Sequence, residues 1–149
     1  MYGQLSMMNN LNGDATERRH AMKLFDNLRN KARRQNWLAS LTGRAQRMAQ
    51  LDATTRTGRY EGIQLIPLKQ IDGSENRIDE FDAQFRPLAD HIEQRWVSVA
   101  TAYLRGTPLP PIEVLRRGDS YYVRDGHHRI SVYRAFGQNS IEAEVTVVG

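Results

Sequence analysis

Apolar residues first recur at helical spacing in residues 14–35, DATERRHAMKLFDNLRNKARRQ, at Ala21, Leu24, Phe25, Leu28 and Ala32. This pattern predicts an amphipathic helix with a basic back, and Asp14 with Glu17 three residues on reads as its N-terminal capping pair. The residues before it, including NNLNG, show no period and are expected to fray. A second helical piece is expected over NWLASLTGRAQRMAQLD, with Leu38, Leu41, Ala45, Met48 and Leu51 on one side and Gly43 weakening it. The small and polar run ATTRTGRYEG then reads as a connection, which places a boundary near Arg59 between a helical arm (1–59) and a domain (60–149).

Beyond that boundary the periods change. GIQLIPLKQI is rich in branched apolar residues and interrupted by Pro67, which suits an edge strand or a strand end. DGSENRIDEFD reads as a polar loop. In PLADHIEQRWVSVATAYLRG, Pro87 suits a helix start, Leu88, Ile92, Trp96, Val99 and Tyr103 share a face, and Gly106 supplies the stop. IEVLRRGDSYYVRDG predicts two strands around a turn at Gly118 and Asp119. A helix over 127–136 stops at Gly137, and SIEAEVTVV alternates apolar and polar residues as a half-buried strand should. The resulting order is that of a compact α+β domain behind a helical arm.

Composition narrows the functions. At 149 residues the chain can bury a core. No apolar run approaches the roughly 20 residues of a membrane span, so no membrane partner is expected. No cysteine is present, which excludes disulfides, thiolate metal sites and a sulfur nucleophile. The start MYGQLSMMNN lacks a secretory pattern, and a cytoplasmic location is the expectation. The net charge of +4 is divided unevenly: residues 1–59 hold 11 Lys+Arg against 4 Asp+Glu, and residues 60–149 hold 10 against 13. A basic arm of this kind suits a polyanion such as nucleic acid, or the acidic body of the same protein.

The stretch YYVRDGHHRISVYRAFG carries the densest chemistry. A strand there hands over to a helix at Gly126, and a helix N-terminus attracts phosphate through its unpaired backbone N–H groups and its dipole. Gly126 lets the chain turn closely around a ligand, His127 and His128 add donors, and Arg129 offers a bidentate fork. Asp125 can cap the helix instead. A transition-metal site on Asp125, His127 and His128 is disfavoured, because adjacent histidines point to different sides; a Mg²⁺ ion brought by a nucleotide fits better. The other polar cluster, residues 72–86, holds Gly73, Ser74, Glu75, Arg77, Glu80 and Asp82. It reads either as a solvated loop or as a cover over the ligand, with Arg77 on phosphate and a carboxylate on a metal or hydroxyl.

These residues together resemble the ParB/sulfiredoxin superfamily over about residues 60–148. The similarity is carried by VRDGHHRISVYRAFG, LPPIEVLRRGDSYY, IQLIPLKQI, the Gly73, Ser74 and Arg77 loop, and Phe81 with Asp82. It implies a small mixed sheet with packed helices, and it extends to a bacterial ParB-like branch with a basic N-terminal arm. Partitioning ParB proteins bind the triphosphate of CTP at a Gly-Glu-Arg-Arg turn; here Gly126, His127, His128 and Arg129 stand in those places, and the loss of the glutamate weakens metal-assisted CTP hydrolysis. Sulfiredoxins use Gly-Cys-His-Arg, and His127 in place of the cysteine excludes that reaction. ParB-like free-serine kinases carry the same Asp-Gly-His-His-Arg wording.

The resemblance therefore implies a phosphate site at Gly73, Ser74, Arg77, Asp125, Gly126, His127, His128 and Arg129, taking ATP, ADP or CTP with Mg²⁺. Glu75, Asp82 and His127 are the candidates for catalysis of a small-molecule phosphotransfer. The alternative is a non-enzymatic module that binds nucleic acid through the basic arm or is gated by nucleotide, and the arm's apolar stripe leaves a homodimer open. Partitioning ParB proteins carry a helix-turn-helix after this module, and centromere-type DNA binding is not expected of this chain.

Overall fold

The computed structural model describes residues 2–43, 47–51, 58–76 and 79–149, with side chains from residue 15 onward. Helix α1 (Tyr2–Leu41) is one unbroken element, so Asp14 lies within it rather than capping it. Once a helix is nucleated, each added residue gains a backbone hydrogen bond, which favours extension over fraying. The expected apolar stripe is the buried one: Ala21, Phe25 and Ala32 are inaccessible, with Leu24 and Leu28 partly covered.

The expected second helical piece is not formed as a helix. Thr42 and Gly43 donate back to the Ala39 and Ser40 carbonyls, and Gly43 takes a left-handed φ of 72°, closing α1. Beyond it, β1 (Ala49–Gln50) pairs parallel with β3 (Ile71–Ser74), and Met48 and Leu51 beside it are buried. Tertiary pairing here overrides a helical period that Gly43 had already weakened. Strand β3 itself occupies the start of the expected polar loop. Its short IDGS sequence carries little strand propensity, and its pairing on both sides supplies what propensity does not.

Strand β2 (Gly58–Pro67) is an edge strand, as the proline required, and its missing N–H costs nothing at the strand end. A short 3-10 turn over Leu68–Gln70 joins it to β3. The helix expected from Pro87 begins later, through a 3-10 turn at Asp90–Ile92 into α2 (Glu93–Leu104). The reason is local: Pro87 forms a bridge with Phe81, and Leu88 N–H donates to the Glu80 carbonyl at 2.9 Å, so the segment stays extended. Strands β4 (Ile112–Arg117) and β5 (Ser120–Asp125) form the expected hairpin, followed by α3 (His127–Ala135) and β6 (Ser140–Val148).

The six strands form one mixed sheet in the order β1-β3-β5-β4-β6-β2, giving an α+β fold. Ile112, Val114, Val123, Ala143 and Val145 face the helices and build the main core with Trp96, Phe81, Phe85 and Ile130. Leu115, Leu51 and Val148 form a small second cluster. Helix α1 joins the main core through Phe25, whose ring meets Trp96 at 5.6 Å and 58°. Polar contacts reinforce the docking. Arg29 and Arg33 both reach Asp90, at 3.0 and 3.1 Å, and Arg105 reaches Glu17 at 2.9 Å. Exposed pairs of this kind contribute about 1 kcal/mol or less each, so apolar burial dominates the attachment. Among the described residues no helix is long and apolar enough to cross a membrane.

Phe25→Ala is therefore predicted to lower the unfolding free energy of the whole chain by about 3–5 kcal/mol, measured by urea denaturation followed by circular dichroism. Unchanged stability would show that α1 is not part of the cooperative core.

Candidate functional site

The β5–α3 turn is held by a backbone conformation that only glycine adopts without strain. Gly126 has φ 113° and ψ 22°, and a Cβ there would stand 2.7 Å from the Ile112 Cβ, closer than real side chains approach. This close approach lets the chain reverse directly from β5 into α3, whose first hydrogen bond runs from Ile130 N–H to the Gly126 carbonyl at 3.0 Å. Gly126, the N-cap residue, has no side chain to cap the helix. Asp125, expected as a possible cap, instead takes Arg129 Nη2 at 3.2 Å and stays mostly exposed.

The two histidines point inward. His127 and His128 are 3% and 6% exposed. The His127 Nε2 lies 2.6 Å from Ser74 Oγ, joining the end of β3 to the start of α3 through a fully buried contact. Ser74 also accepts from Asn76 N–H at 2.9 Å and contacts the Asn76 carbonyl. Phe81 covers both imidazoles, stacked on His127 at 6.1 Å and edge-on to His128 at 5.4 Å. Phe81 thus lies directly over the turn, and its ring helps keep water from the imidazoles.

Arg129 lies on the outer side. Its Nη1 donates to the Pro110 and Pro111 carbonyls, each at 2.7 Å, and its Nη2 is 3.3 Å from where a Gly126 Cβ would stand. The guanidinium is therefore fixed beside the first turn of α3 by the backbone that leads into β4. Arg124, one strand residue before Asp125, pairs with Glu75 at 3.1 Å.

The remaining sequence candidates are placed as follows. Gly73 sits in β3 with its Cα against the Ala49 carbonyl, so any Cβ would collide with β1 backbone; its glycine is required for strand packing. Asp82 is 5% exposed, and its carboxylate accepts from the Gln84 and Arg86 N–H groups at 2.9 Å and from Arg86 Nε at 2.7 Å. Those bonds hold its own turn and occupy the oxygens a catalytic base would use. Arg77 lies outside the described residues. The structure thus brings Ser74, His127 and His128 together, sets Glu75 and Arg129 nearby, and directs Asp82 elsewhere. Among the described residues no group of three or more His, Asp or Glu is placed to hold a metal ion.

Sequence reasoning missed the Pro110 and Pro111 carbonyls as the anchor of Arg129, since a backbone acceptor carries no residue signature. It also missed a cleft of about 870 Å³ further along α3, bordered by Leu65, Pro67, Lys69, Phe85, Arg134 and Ala135. The turn holds the denser chemistry and the cleft holds the volume.

No protein-family model matches the chain, and no curated protein sequence does. Among solved structures the chain is similar to sulfiredoxin from Arabidopsis thaliana, with a TM-score of 0.43 and 19% identity, covering 57% of this chain and 84% of that one.

Two substitutions test the architecture of the turn. Gly126→Ala is predicted to destabilise the fold by at least about 1–3 kcal/mol, because strained φ and the collision with Ile112 act together. Ser74→Ala removes a buried hydroxyl that contacts the His127 imidazole at 2.6 Å and is predicted to cost about 1–3 kcal/mol. Both are checked by chemical denaturation, and a Ser74→Ala protein as stable as the parent would show that the hydroxyl–imidazole contact is dispensable.

Proposed function

We propose that the 126–129 turn binds the phosphates of a nucleotide, ATP, ADP or CTP with Mg²⁺. One observation supports this most: α3 starts at a glycine without a side-chain cap, with the Arg129 guanidinium fixed beside that first turn. A helix N-terminus and an adjacent cation make a complementary surface for a phosphate group. In this reading Gly126 shapes the turn by packing against Ile112, Arg129 exchanges its Asp125 partner for a phosphate oxygen, and Ser74 with Phe81 holds His127 and His128 in place beneath it.

Phosphoryl transfer to a small hydroxyl acceptor is the reaction we assign to such a site, by the likeness of the Asp-Gly-His-His-Arg turn to that of free-serine kinases. Glu75, which Arg124 holds through one oxygen, is the carboxylate we favour as base, since both oxygens of Asp82 are engaged within its own turn. A nucleotide-bound Mg²⁺ would neutralise charge on the transferring group.

A second reading has one observation in its favour. Arg18, Arg19, Lys23, Lys31 and Arg34 are all exposed along α1, whereas its described acids Glu17 and Asp26 are each paired with an arginine. That basic face suits a nucleic-acid backbone.

A thermal-shift series with ATP, ADP and CTP, each with Mg²⁺, tests the first reading. Ligand at about a hundred times its Kd should add about 2.7 kcal/mol of stability, a rise of several degrees, and Arg129→Gln should abolish it. No rise with any of the three overturns the proposal. Fluorescence anisotropy with a short DNA duplex tests the second: binding should weaken steeply with salt and be lost when Arg18, Arg19 and Lys23 are replaced by glutamine.

A further inference from the structure

The cleft along α3 has a composition that the phosphate turn does not explain. Its volume of about 870 Å³ is that of a small-molecule site, and Leu28, Leu65, Pro67 and Ala135 give it apolar walls. Three cations, Lys69, Arg86 and Arg134, line it, and no aspartate or glutamate does. Arg86 is neutralised by the buried carboxylate of Asp82 at 2.7 Å. Lys69 and Arg134 have no such partner: among the described residues neither makes an ion pair.

Arg134 is the more telling of the two. Its guanidinium stacks over the Phe85 ring at 5.4 Å and gives one N–H to the Leu68 carbonyl at 2.6 Å. Its Nε is buried with no hydrogen-bond partner among the described residues. Burial pulls its pKa down from the usual arginine value, and the more distant Asp82 and Asp72 offset this only in part. Guanidinium groups stay charged at any physiological pH, so the part of the desolvation that these contacts do not offset remains as a cost that an arriving anion would relieve. A cation held in this way beside apolar walls is complementary to a negative head group attached to an apolar body.

We propose that this cleft is a second ligand site, binding a small amphipathic anion. Its carboxylate or phosphomonoester head lies against Arg134 and Lys69, and its apolar body lies along Leu28, Leu65, Pro67 and Ala135. The site is separate from the phosphate turn. Ser131 and Arg134 lie one and two helical turns beyond His127 on α3, and the turn's histidines pack on Phe81 whereas the cleft is lined by Phe85.

The test is an amide NMR titration of the full chain with octanoate and octyl phosphate as probes, and with octanamide and octylamine as neutral and cationic counterparts. Saturable shifts are expected at Lys69, Ala135, Gln138 and Ser140 with one or both anions, and the stronger of the two identifies the head group. Octanamide should bind about tenfold more weakly and octylamine not at all, and Arg134→Met should raise the Kd for the anion by about tenfold.

Because Arg134→Met could also disturb folding, Lys69→Met and Leu65→Glu carry the same test from exposed positions on the rim; each should weaken anion binding several-fold. Both should keep the nucleotide response of the parent protein, so failure at the cleft is distinguishable from failure at the turn. Equal binding of octanoate and octanamide, absence of saturable shifts at the cleft, or undiminished binding in both rim variants overturns the proposal.

Discussion

The approach of Gly126 to Ile112 is the contact on which the arrangement around α3 depends. Because no Cβ intervenes, β5 can turn into α3 without leaving the shelter of β4, and the chain emerges with φ 113° already directed back over the sheet. Everything downstream inherits that direction. His127 and His128 are delivered into the core rather than to solvent, Ser74 meets His127 from the end of β3, and Phe81 closes over both rings. Arg129, on the opposite side of the same turn, falls against the Pro110 and Pro111 carbonyls. A bulkier residue at position 126 would force either β4 or the helix axis to move.

Electrostatics follow a different logic, in which most charges near the turn are paired internally. Asp82 holds Arg86 and its own backbone, Glu75 holds Arg124, and Asp125 meets Arg129. The basic character of the N-terminal segment is partly absorbed by the body of the protein through Asp90, which contacts Arg29 and Arg33 together. Among the described residues the outer basic face of α1 and the Lys69–Arg134 side of the cleft stand outside this pairing.

Legibility in the sequence tracked how far each element depends on its own residues. The hairpin of β4 and β5, the alternating β6, the stop at Gly137 and the buried stripe Ala21, Phe25 and Ala32 all follow from local periodicity and turn chemistry, and the structure contains them. The edge position of β2 follows from Pro67. By contrast, Ala49–Gln50 and Ile71–Ser74 carry no strand signal of their own; they become strands because each completes the other's backbone pairing across the sheet. The late start of α2 belongs with them, since the bridge between Phe81 and Pro87 is a contact between segments.

The candidate site divides along the same line. The residues 125–129 and 73–82 stood out by type and order alone, because glycine before a helix and clustered polar groups are properties of the chain itself. Their roles were decided only by folding. Whether a histidine faces solvent or Phe81, whether an aspartate is an available base or the knot of its own turn, and which carbonyls anchor an arginine all depend on neighbours far away in sequence. The cleft is the extreme case. Leu28, Leu65, Arg134 and Ser140 share no pattern along the chain, and only the packing of α1, α3 and the β2 edge gathers them around one space.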